Sequence, residues 1–178
     1  MIRLVADSSC DVYTLPGVDF RAVPLHISTD DGRAFIDDPE LNVGEMVDCL
    51  HSHKGRSYTA CPSVAAWLEA FEGADTVYVV TITSGLSGSY NSAKVAADLY
   101  QQASPEASVH VFDSLSTGPE ELLLLEKLRE LVNAGLEFEE VIRQAEDYMG
   151  HTRLFFSLHS LHNLAQNGRV SKVVAAAV

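Results

Sequence analysis

The stretch 81–94, TITSGLSGSYNSAK, holds five serines and threonines and two glycines within residues 81–90. It follows the apolar run TVYVV and leads into a helix-like pattern. A helix N-terminus has unpaired backbone N–H groups and a partial positive charge. Glycines let backbone approach a ligand, and hydroxyls add donors without adding charge. The chemistry this composition suits is anion binding, and uncharged donors suit one carboxylate better than a triphosphate. The competing use of the same residues is plain helix capping with no ligand.

Three further segments carry the same signature: DSS at 7–9, TACPS at 59–63 and DSLST at 113–117. Several such loops converging on one sheet edge favour a shared site over independent caps. Sharper motifs fail on spacing. A P-loop needs GxxxxGK[ST], and Lys94 stands at the wrong distance from Gly85 and Gly88. GLSGS approaches the nucleophile elbow GxSxG but ends in Ser89, with no obvious histidine and acid partner, so a hydrolase is the weaker alternative. The dinucleotide pattern GxGxxG is absent. No catalytic residue is assigned.

Metal spacing is incomplete. His51 and His53, and His159 and His162, lack a third ligand for zinc. The acidic group Asp30, Asp31, Asp37, Asp38 and Glu40 does not follow an EF-hand loop and reads as a solvated turn. Arg169 follows the tight-turn pair Asn167-Gly168. There it could meet a phosphate or a partner's acidic patch, or simply face solvent.

These loops need a scaffold. Residues 2–6, 21–27, 76–82 and 107–112 read as strands, with Pro24 marking an edge or irregularity in the second. Residues 43–53 place Val43, Met46, Val47 and Leu50 on one helical face. A helix capped by Ser63 turns Val64, Trp67, Leu68 and Phe71 inward. Leu86, Tyr90, Ala93, Ala97 and Tyr100 recur at helical spacing. Helices at 119–134 and 138–149 are separated by Asn133-Ala134-Gly135, a C-cap signal. Strands alternating with helices predict an α/β fold, a mostly parallel sheet flanked by helices. Ligands of such sheets sit at the carboxyl ends of the strands, where the hydroxyl loops fall.

The chain has 178 residues, an apolar fraction of 47% and a net charge of −13. The acidity argues against nucleic acid and anionic membrane surfaces as main partners. No apolar run approaches the length of a transmembrane helix. The three cysteines, Cys10, Cys49 and Cys61, are an odd, sparse set that suits a reducing, cytoplasmic compartment and small buried residues. All 25 acidic residues lie in the first 150. This composition break predicts a domain over 1–150, carrying the hydroxyl loops, and the beginning of a second α/β domain over 151–178. The last residues, VVAAAV, read as an element cut short.

Taken together, VADSSCDV, VPLHIS, TACPS, TSGLSGSYNSA, VFDSLSTG and LHNLAQNGRVSK resemble the DegV family of lipid carriers, in the family's order from residue 2 to about 172. The resemblance implies one long-chain fatty acid bound between two domains, with no other cofactor and no catalysis by the chain itself. It implies carboxylate contacts from Thr59, Ser63, Ser84, Ser87 and Gly88, with Thr59 and Ser84 foremost. Asp7, Ser8, Ser9, Asp113 and Ser114 would form secondary pocket loops. Arg169 matches the family's arginine implicated in working with a fatty acid kinase subunit, the expected protein partner. Family members are longer at the C-terminal end, where further wall around the acyl chain is expected. Cys61 stands where a polar residue is common, and Asn167-Gly168 where GG is usual. A regulatory module with a vestigial pocket is the alternative.

Overall fold

The computed structural model describes residues 1–155, together with 157, 158, 161, 164, 165 and 167–169. Four parallel strands form its main sheet: β1 (Ile2–Asp7), β2 (Asp19–Val23), β6 (Thr76–Thr81) and β7 (Ser108–Asp113), in the order β2-β1-β6-β7. Between β2 and β6 the chain builds a three-stranded antiparallel sheet. Its strands are β3 (His26–Thr29), β4 (Ala34–Ile36) and β5 (Ser57–Ala60), ordered β4-β3-β5. The helices are α1 (Val43–Ser52), α2 (Val64–Phe71), α3 (Ser89–Ala103), α4 (Pro119–Asn133) and α5 (Phe138–His151).

The period of two along the strands sorts the core into two halves. Leu4, Ala6, Tyr78, Val80 and Phe112 face α4 and α5, where Leu124, Leu125, Leu128 and Val141 complete the packing. Val5, Val77, Val79 and Val111 face α2 and α3, against Trp67, Phe71, Ala93 and Ala97. Burial on both faces explains why the main strands read as near-continuous apolar runs.

The expected strand over 21–27 is two strands in two sheets. Pro24 removes a ladder donor, so pairing with β1 ends at Val23, and β3 starts at His26 with new partners. The expected apolar face of α1 is also corrected. Val43 and Val47 are exposed, Met46 and Leu50 half-buried, and Cys49 is the buried residue. α1 borders a hollow shared with Arg33 and Phe35, and Cys49 is its one buried residue, so little of its stripe meets a core.

Ser63 caps α2 as expected, its Oγ accepting the Ala66 N–H at 3.2 Å. Trp67 Nε1 donates to Ser92 Oγ at 3.0 Å, and that hydroxyl lies 2.9 Å from the Pro62 carbonyl. The starts of α2 and α3 are thereby held together. Ser63→Ala is expected to cost about 1 kcal/mol of stability, measured as a lowered denaturant midpoint with an unchanged slope. The composition break at Gly150 falls in the last turn of α5. Most of 151–178, with His159, His162 and Lys172, lies outside the described residues.

Candidate functional site

The chain leaves β1 toward β2 on one side and β6 toward β7 on the other. The loops after β1 and β6 therefore diverge, and a crevice opens between them at the carboxyl end of the sheet. Here lies a cavity of about 540 Å³, within the range of small-molecule sites. Leu25, Ile27, Ala60, Ile82, Leu86 and Leu164 supply apolar wall, and Thr59, Cys61, Ser87, Gly88, Asp37 and Arg169 supply its polar and thiol groups.

Each polar group has a structural reason for its place. Thr59 pairs with Ile27 across β5 and β3. The Arg169 Nη2 donates to Thr59 Oγ1 at 2.6 Å. The turn bearing Arg169 is closed by its N–H to the Leu164 carbonyl at 2.8 Å. Asn167 Nδ2 ties that turn to the Ser57 carbonyl on β5 at 3.4 Å. Ser87 Oγ accepts the Ser89 N–H at 3.2 Å, leaving the hydroxyl proton to donate elsewhere. A Cβ on Gly88 would stand 3.3 Å from Cys61 Sγ, so glycine allows this loop to close on β5's end.

Of the residues expected at the carboxylate, Thr59, Ser87 and Gly88 line the cavity, and Arg169, expected at a kinase or phosphate, lines it with them. Ser63 serves the α2 cap. Ser84 is exposed outside the lining residues, with its backbone N–H donating to Asp113 Oδ1 at 3.0 Å. Asp113 also receives the Leu115 N–H at 3.3 Å. Ser114 accepts the Ser116 N–H at 3.1 Å and borders a separate hollow toward α5.

The DSS turn works beneath the cavity rather than on its wall. Asp7 is fully buried. Its Oδ2 takes the Ile82 N–H at 3.1 Å and the Ser89 hydroxyl, the two ends of the 82–89 loop. Ser8 Oγ accepts the Leu25 N–H at 2.9 Å and donates to Asp37 Oδ2 at 2.7 Å. Ser9 Oγ lies 2.5 Å from Asp7 Oδ1 and 2.7 Å from Glu121 Oε1.

Asp37, read in sequence as part of a solvated acidic turn, is corrected to a half-buried cavity residue. Tyr13 Oη donates to its Oδ1 at 2.9 Å, and burial together with this carboxylate pushes the phenol above its ordinary value. Cys61 is a wall residue, whereas Cys10 is buried and its thiol is pushed up to about 12, chiefly by desolvation. No group of metal-ligand type assembles among the described residues. None of their helices is long and apolar enough to cross a membrane.

A parallel sheet with a largely apolar cavity at its switch point, bordered by hydroxyls, the Asp37 carboxylate and a guanidinium, defines an α/β protein with a candidate small-molecule site. The chain belongs to the DegV family. The family model described as "Uncharacterised protein, DegV family" matches residues 1–178. A DegV domain-containing protein of Streptococcus pneumoniae is 42% identical over 99% of this chain and 64% of its own length. The structure of a DegV family protein from Eubacterium eligens loaded with heptadecanoic acid is 56% identical, with a TM-score of 0.95, over 99% of this chain and 64% of that one. The Streptococcus pneumoniae fatty acid kinase (Fak) B3 protein loaded with linoleic acid is 42% identical, with the same TM-score and the same coverage. The chain thus spans 64% of the length of these relatives.

Proposed function

We propose that this chain is the carboxylate-holding part of a protein that binds a long-chain fatty acid and presents it to a partner kinase. The observation that carries this reading is the pairing of Arg169 with Thr59 on the rim of an apolar cavity, with Ser87 on the same wall. A guanidinium and two hydroxyls match the charge and the lone pairs of one carboxylate. The apolar wall matches a hydrocarbon tail, each buried methylene contributing about 0.8 kcal/mol. The donors then fix orientation and offset carboxylate desolvation. The relatives that carry heptadecanoic and linoleic acid support the ligand class.

In this reading the protein is a carrier without a cofactor of its own. The kinase would bring ATP and transfer its terminal phosphoryl group to the bound carboxylate, giving an acyl phosphate and ADP. Native mass spectrometry of the gently purified full-length protein tests the binding step. A co-purifying mass matching a long-chain fatty acid is expected. Protein that carries none, and takes up none when a saturated acid is supplied, would sink the reading.

A further inference from the structure

Glu121 is a fully buried acid that the proposed binding site does not use directly. It stands in the first turn of α4, on the far side of Ser9 from Asp7. The Ser9 oxygen lies within hydrogen-bond distance of both carboxyl groups. A hydroxyl has one proton and can donate to only one of them. The other carboxyl must bring its own proton, or two anions face a single donor in a dry site.

The surroundings decide which acid is neutral. Asp7 Oδ2 already accepts the Ile82 N–H and the Ser89 hydroxyl, donors that favour its ionised form. The Gly118 N–H reaches the Glu121 carboxyl and favours its anion, but Glu121 Oε2 is buried without a hydrogen-bond partner among the described residues. An anion there would be unsatisfied, and burying it costs more than a helix N-terminus returns. The other ionisable groups against Glu121 are Asp11 and Cys10 from the turn after β1, and neither is a cation. Desolvation first, then Asp7, push Glu121 from 4.5 up to about 9. Asp7 is also raised by burial, but the donors on it make Glu121 the proton's holder.

We infer that Glu121 is a positioning residue: as a neutral acid it donates to Ser9, Ser9 donates to Asp7, and Asp7 fixes both ends of the 82–89 loop. The proton of one α4 residue thus sets the loop that carries Ser87 and Gly88 into the cavity. The link to ligand rests on the proposed fatty-acid reading. The protonation itself does not.

Linkage gives the sign. Glu121 holds a proton when folded and loses it on unfolding above pH 4.5. Its contribution is therefore fully present below that value, falls as pH rises, and is lost through about pH 9. Within this window the folding constant of the natural protein should fall about tenfold per pH unit relative to Glu121→Gln, which donates to Ser9 without titrating. Glu121→Gln should accordingly be the more stable protein at pH 7.

Denaturant unfolding of both proteins from pH 5 to pH 8 measures this. Parallel pH profiles, or a less stable Glu121→Gln at pH 7, would overturn the inference. The second measurement is affinity for a saturated long-chain fatty acid. Glu121→Ala should weaken it about tenfold or more, and Glu121→Gln should restore it. Weak binding by both variants, with the natural protein binding tightly, would also overturn it. Should the natural protein bind no fatty acid at all, the functional reading fails, while the stability profiles still decide the proton.

Discussion

Asp7→Ala is expected to lower the unfolding free energy by about 3 kcal/mol and to loosen the cavity wall in the protein that remains folded. The substitution orphans the Ile82 N–H, which costs roughly 1–3 kcal/mol when buried, and frees the Ser9 and Ser89 hydroxyls from their acceptor. It also leaves Glu121 with a bridging hydroxyl that no longer ends on an anion. Part of the loss returns if water enters the space. Asp7→Asn is the informative control. Its amide oxygen can accept the Ile82 and Ser89 donors, and its NH₂ would oppose the Ser9 hydroxyl. A smaller but still clear loss is expected. Urea unfolding gives the free energy, and hydrogen exchange at Ile82 reports the loop. An Asp7→Ala protein within about 0.5 kcal/mol of the natural one, the scatter of ordinary surface changes, would mean the 82–89 loop is held by other contacts.

Three strands of the main sheet were legible because they are covered on both faces, whereas the edge strand β2 starts two residues earlier than read and ends before β3. The runs IRLVA, TVYVV and SVHVF are apolar enough to identify without their partners, and the helices between them have a clear period. The small sheet was not. β3, β4 and β5 are three or four residues each, and much of their surface is exposed, so alternation is too short to read. Pro24 signalled a break without saying that two sheets lay on either side of it. The hydroxyl loops were legible as a set, because their spacing places them after strands. Which hydroxyls face a ligand was not, since serines two residues apart point to different neighbours. Ser87 reaches the cavity wall, and Ser89 reaches Asp7 below it. Asp37 was misread because its partners, Ser8 and Tyr13, lie 29 and 24 residues away. Glu121 gave no signal either, because an acid at the start of a helix ordinarily faces solvent and complements the helix dipole.

Arg169→Ala is expected to weaken fatty-acid binding by about 10- to 100-fold, the loss of a hydrogen bond to a charged group. Thr59→Val should cost about fivefold, since a neutral donor contributes roughly 1 kcal/mol. The two residues touch, so their effects should not add. Without Thr59 the guanidinium loses the contact that aims it, and the double variant should bind little worse than Arg169→Ala alone. Arg169→Lys should recover only part of the affinity, because an ammonium keeps the charge but not the fork that fits a carboxylate. Binding should also weaken with salt, as this pair is exposed at the rim. Isothermal titration across the four variants measures these terms. The same variants separate two roles for the arginine. If Arg169→Ala binds the acid as tightly as the natural protein but is no longer phosphorylated by the partner kinase, the guanidinium serves the kinase and Thr59 merely parks it between encounters. If affinity falls first, and phosphorylation falls only in proportion to occupancy, the arginine belongs to the lipid site.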